Sequence, residues 1–190
     1  MAVSTGTIVS AAVSAATSYD LAGVTVGSGE GIVVVAASRG AMTVSAVEWD
    51  SAGVNEGLTQ LGSEQDADGT VTLGVWYLAA PTAGASKTVQ VTFSGGTKNL
   101  IVHAIPIVGM DTTTMVGTPV QTALAGQTAA SDNLTDGAVG DLHMSCCAIN
   151  RINGITWTDG SETEIADSLI PELGNPVHPV ERIGSCPSPP

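Results

Sequence analysis

The sequence predicts an all-β fold, an antiparallel two-sheet β-sandwich, and three observations carry that expectation. The first is the alternation of apolar and polar residues in Thr70–Leu78 (TVTLGVWYL) and Lys87–Ser94 (KTVQVTFS). Val71, Leu73, Val75 and Tyr77 share one face of the first segment, and Val89, Val91 and Phe93 share one face of the second. A period of two is what a sheet with one buried and one wet face requires. The second observation is that such segments recur roughly every ten residues, the rhythm of a sandwich or barrel. The third is their punctuation by Gly, Asp, Ser and Pro.

Taken in chain order, strands are expected at Thr7–Val13, Tyr19–Val26, Gly31–Ser38, Thr43–Trp49, Leu58–Gly62, Thr70–Leu78, Lys87–Ser94, Leu100–Val108, Met115–Thr122, Asp132–Thr135 and Asp141–Ile149. Gly27-Ser28-Gly29-Glu30-Gly31, Asp66-Ala67-Asp68-Gly69 and Ser94-Gly95-Gly96 separate neighbours with residues that tolerate positive φ. Ile32–Ala37 (IVVVAA) and Leu100–Val108 (LIVHAIPIV) are apolar on both faces, the mark of central strands covered on two sides. Pro106 cannot donate to a ladder, so its end of the strand should be an edge or a bulge. PTAGAS links the two alternating segments as a turn-rich connector. At most one short helix is expected, near 162–170, where Ser161-Glu162-Thr163-Glu164 has capping-box spacing and Pro171 stops the run. The expected organisation is one sandwich domain over residues 1–174 and a proline-rich C-terminal arm over 175–190.

Composition narrows the function classes. Eighteen acidic residues stand against five basic ones, a net charge of −13, and only six residues are aromatic. Phosphate neutralisation needs a basic patch, so nucleic acid is not an expected partner, and neither is an anionic membrane surface. The N-terminal stretch has no basic region and no continuous apolar core of the kind a secretory signal carries. No segment approaches the roughly 20 apolar residues of a membrane-spanning helix. Cys146, Cys147 and Cys186 form no framework of paired spacings and are expected to be idle thiols.

Candidate chemistry is sparse. His103, His143 and His178 lie far apart on different expected elements, without the spacing of a metal site, so no metal and no cofactor are expected. Asp66-x-Asp68-Gly69 lacks the later oxygen ligands of a calcium loop and reads as a hairpin turn. Glu48 and Asp50 flank Trp49 as the polar end of a strand. No serine occupies a G-x-S-x-G elbow. Residues four apart on one strand are separated by about 13 Å, which excludes a Cys147–His143 nucleophile pair. The chain is therefore not expected to be an enzyme. Asn133-Leu134-Thr135 matches a glycosylation acceptor only by pattern.

One run of motifs is familiar in its order. Val24–Val35 (VTVGSGEGIVVV) is followed by Val71–Pro81 (VTLGVWYLAAP), Val89–Gly95 (VTFSG at its end), Gly109–Thr114 (GMDTTT) and Gly140–Ala148. This order resembles a β-sandwich module of tailed-phage virion proteins and of some bacterial surface proteins. The likeness spans Val24 to Ile149. It departs from the module's pattern at Gly31, where an Asn-Arg pair is usual, and after Trp157, where the closing strand is not evident. The resemblance implies a jelly-roll-like sandwich used for assembly or display, and it implies no catalytic residues.

The function expected is that of a structural virion protein, a capsid decoration (cement) protein or a head or tail appendage component. Its partners would be copies of itself, as a homo-oligomer such as a trimer, and the major capsid or other virion proteins. Its place would be the virion surface after synthesis in the host cytoplasm. Trp76 is expected to be covered, by another layer or by another subunit, and His103 to be a hydrogen-bonded core or interface histidine, so both are candidates for a subunit interface. The alternative is a receptor- or carbohydrate-binding module of tail-fibre or adhesin type, with Trp49 and Trp157 as the stacking residues.

Overall fold

The computed structural model describes residues 3–41, 43–65, 71–94, 96–111, 113, 142, 144 and 146. Its strands are β1 (Ser4–Thr5), β2 (Val9–Ala16), β3 (Ser18–Val26), β4 (Gly31–Arg39), β5 (Thr43–Trp49), β6 (Glu56–Gly57), β7 (Thr59–Gln65), β8 (Val71–Leu78), β9 (Gly84–Ser94) and β10 (Lys98–Val108). No helix occurs among the described residues. The expected strands at Met115–Thr122 and Asp132–Thr135, the short helix near 162–170 and the arm over 175–190 lie outside them. So does the Asp66–Gly69 turn, although β7 and β8 pair antiparallel on either side of it.

Two antiparallel sheets pack against each other, as the alternation predicts. One runs β10, β4, β8, β7, with β1 and β2 sharing the outer edge of β10, and the other runs β3, β9, β5, β6. The pairs β2 with β10, β3 with β9, β4 with β8 and β5 with β6 nest inside one another. They form one long hairpin with its tip at the β5–β6 turn. Rolling that hairpin brings β10 against β4 and β9 against β5. This connectivity is a jelly roll, with β7 added at an edge. PTAGAS is therefore a crossover between sheets, since β8 and β9 belong to different ones.

The inner faces form the main core. Ile32, Val34, Ala36, Trp76, Leu100, Val102 and Ala104 from one sheet meet Leu21, Val24, Val26, Val47, Trp49, Val89, Val91 and Phe93 from the other. Each large side chain removed from water in this way contributes about 1.5–3 kcal/mol. The second sheet keeps its outer face wet, where Gln90 Nε2 donates to Asp20 Oδ1 at 2.7 Å. β9 thus has the one buried and one wet face that its alternation predicts.

β8 does not. Its Thr72, Gly74 and Trp76 are the residues buried between the sheets, while Leu73, Val75 and Tyr77 lie half-buried on the outer face. Both faces of this first sheet are covered. Val33, Val35, Ile105 and Ile107 form a second cluster on its outside, overlaid by Val3, Ile8, Met110, Leu142, Met144 and Cys146. Leu142, Met144 and Cys146 carry no strand assignment, and the rest of the strand expected over Asp141–Ile149 lies outside the described residues. β4 and β10 are central and apolar on both faces, as read from IVVVAA and LIVHAIPIV.

Pro106 occupies a break. The partner of β10 along that edge changes from β2, which ends opposite Ala104, to β1, which begins opposite Ile107. Gly6 N donates to Pro106 O at 2.7 Å, so the proline's nitrogen side faces this gap. The N–H and C=O of one strand residue point the same way, and the missing donor therefore costs the β4 ladder nothing.

Candidate functional site

Three places gather polar or aromatic groups. The first is the hairpin tip after β5. Asp50 and Asn55 adopt positive φ, of 47° and 54°, which Asp and Asn tolerate because short polar side chains bond locally. Gly53 N and Asn55 N both donate to Asp50 O, at 2.7 and 3.0 Å. Asn55 Nδ2 reaches Glu48 Oε1 at 3.2 Å. Lys87 Nζ lies 2.8 Å from Asp50 Oδ2. Glu48 and Asp50 are thus each engaged in holding the turn, as the polar end of a strand should be.

The Lys87 hydrogen bond holds the Asp50 carboxyl below the usual carboxylate range, assisted by the Val54 amide and opposed by desolvation. A depressed folded-state pKa gives stability that is present above the unfolded value and lost as pH falls through the folded one. Lys87→Met should therefore melt below the parent at pH 7, and the gap should close as pH drops below about 4. Thermal melts across pH 2–7 read this directly. A gap that stays constant across the range would show that the pair has no linkage to folding.

Trp49 sits directly above this turn and is fully buried. Its Nε1 donates to Thr82 O at 2.9 Å. Thr82 is itself held by Glu56, through Thr82 N to Oε2 at 2.7 Å and Thr82 Oγ1 to Oε1 at 3.1 Å. The ring pins the β8–β9 crossover to β6. A sugar cannot stack on a ring enclosed by its own core, which removes Trp49 from the stacking role expected of it. Trp157 lies outside the described residues.

The second place surrounds Trp76. A cavity of about 170 Å³ opens between the edges of the two sheets, lined by Thr43, Val44, Gln60, Ser63, Thr72 and Trp76. Thr43, Gln60 and Ser63 are exposed at its mouth, and Thr72 and Trp76 are buried at its base. Thr72 Oγ1 donates to Gly40 O at 3.0 Å. The indole nitrogen of Trp76 is not among the buried side-chain nitrogens and oxygens left without a partner among the described residues.

The third place is the outer face of the first sheet. His103 is fully buried there beside Ser10, with Ser10 Oγ and His103 Nδ1 sharing a hydrogen bond of 2.6 Å. Of the two coverings expected for Trp76 and His103, the chain's own layers or a subunit interface, the structure shows the first: both are covered within the single chain, Trp76 at 4% exposure and His103 at 0%. The reason is common to both: each lies on a sheet that the chain covers on both faces. His143, His178, Cys147 and Cys186 lie outside the described residues, and Cys146 is half-buried on the outer face.

The structure thus separates the residues singled out by sequence. Trp49 and Trp76 belong to the inter-sheet core and His103 to the outer face of the first sheet, so the three form no single site. Gln60, Ser63, Thr43 and Thr72 were not anticipated, because hydroxyls and amides are frequent in strands and only the meeting of β5, β7 and β8 brings these four together. Comparison with protein-family models, with curated proteins and with solved structures finds no match.

Proposed function

We propose that this chain is a structural virion protein of a tailed bacteriophage, acting through protein–protein contacts as a capsid decoration protein or a head or tail appendage component. The observation that carries the reading is the jelly roll itself. The motif order resembling the virion module falls on β3–β4, β8 and β9, and the connectivity is the one that resemblance implies. A fold alone does not choose a function, so the motif order supplies the direction. The net charge of −13 supports solubility at the high concentration that assembly from many copies needs.

The reading also suits where the polar chemistry lies. Asp50, Lys87, Glu48 and Glu56 brace the hairpin tip. The outer face of the second sheet, with Asp20 and Gln90, is the hydrated surface left for partners or copies. Quantitative mass spectrometry of purified virions should find the chain in many copies per particle. Light scattering should show a homo-oligomer whose mass rises further on shells. A monomer that ignores shells, and a chain missing from virions, would sink the proposal.

A further inference from the structure

We infer that the free edge of β2 pairs antiparallel with β2 of a second copy, joining the two first sheets across a two-fold axis. The ladder geometry identifies the backbone groups involved. Pro106 O accepts from Gly6 N, so Pro106 directs its carbonyl to the β1–β2 side of β10. Backbone groups alternate in direction along a strand, so Leu100, Val102 and Ala104 point the same way. Their register partners are Val13, Ala11 and Val9, whose N–H and C=O are therefore engaged by β10. Ser10 and Ala12 direct theirs to the opposite edge, where no strand pairs with β2 among the described residues. Both residues are exposed.

The other edge strands carry devices that discourage such pairing. β3 is interrupted between Leu21 and Val24, with Gly23 at a φ of 85°, and it carries Asp20. β7 is interrupted between Gln60 and Gly62 and carries Glu64. β6 is two residues long, and one of them is Glu56. β2 differs from all three. It is regular from Val9 to Val13, its register shift falling beyond Val13, and VSAAVSAA contains no charge, glycine or proline. In a chain of net charge −13, this uncharged edge is where two copies meet with least repulsion.

The partner is a second copy because β2 matches its own reverse, as an isologous contact requires. With Ala11 on the axis, Ser10 of each copy exchanges both backbone hydrogen bonds with Ala12 of the other. Val9 of each copy then stands opposite Val13 of the other, on the core side, where both are half-buried. The pairing thus extends the apolar layer across the axis. The inference goes beyond the virion reading and needs none of it, since a chain absent from virions could pair in this way.

Sedimentation velocity of the full chain from about 1 µM to about 1 mM covers the affinity range of so small a contact. It should show a reversible monomer–dimer step. Ala12→Pro removes the outward N–H and leaves the β10 ladder intact, so it should weaken dimerisation at least about tenfold. Ala12→Lys and Ala12→Glu set like charges diagonally across the axis, and each should weaken self-pairing. An equal mixture of those two should pair more tightly than either alone, which a folding defect would not produce. A parent chain still monomeric at about 1 mM overturns the proposal. So does an oligomer whose affinity is the same in all the variants, since its contact would lie elsewhere. Either result leaves untouched the abundance of the chain in virions, which mass spectrometry reads separately.

Discussion

Trp49→Ala is expected to lower stability by about 3–5 kcal/mol, the range for deleting a fully enclosed aromatic side chain. For a chain of this size that corresponds to a fall in Tm of roughly 6–20 °C. Two losses combine. The indole leaves a void among Val47, Val89 and the rest of the inter-sheet core, and the hydrogen bond from Nε1 to Thr82 O disappears. Trp49→Phe separates them, keeping most of the packing while removing the donor. Its cost should be smaller, about 1–2 kcal/mol, because Thr82 is exposed and water can replace the lost partner. Urea unfolding of the three proteins measures both steps. A loss under about 1 kcal/mol for Trp49→Ala would mean that the ring is not part of the core.

Gly74→Val should be the second severe change, and its sign decides between two opposed effects. Valine is the better strand former, by up to about 1 kcal/mol. Against that, a Cβ at position 74 would overlap Cη2 and Cζ3 of Trp76, which lies across the glycine two residues before it on the same face. Its cross-strand partner Ala36 is also small and fully buried. Together these two positions form the slot that admits the indole. Overpacking of this kind costs about 1–3 kcal/mol, and here the largest buried ring of the first sheet must move, so a loss near or above the upper end is expected. Adding Trp76→Leu removes the obstacle. The double variant should then be more stable than the sum of the two single changes by about 1 kcal/mol or more. Additivity, or a Gly74→Val protein more stable than the parent, would show that the ring does not rest on Gly74.

Much of this architecture was legible in the sequence. The strands β3, β4, β5, β8 and β10 lie within two residues of where alternation and turn residues put them, and β9 begins at Gly84 rather than Lys87. The doubly apolar runs became the central strands. Two things resisted the reading. β8 is covered on both faces, and alternation alone cannot say which of its two sets of residues turns toward the other sheet. The visually stronger set, Val71, Leu73, Val75 and Tyr77, turned outward. The cavity was equally hidden, because Thr43, Gln60, Ser63 and Thr72 carry no pattern until three strands from two sheets meet.

The sequence by itself determined that this protein is a stack of short strands, since side-chain alternation and turn chemistry act over a few residues. It also determined that one sheet would be covered on both sides, through the continuous apolar runs of β4 and β10. Tertiary structure alone decided the rest. Pairing β8 with β4 set Gly74 opposite Ala36, and these two small residues leave room for the Trp76 indole on the core face. The same packing enclosed Trp49 and His103 and left Trp76 beside a polar cavity. Which face is buried depends on volumes contributed from strands distant in the chain, and no local pattern carries that information.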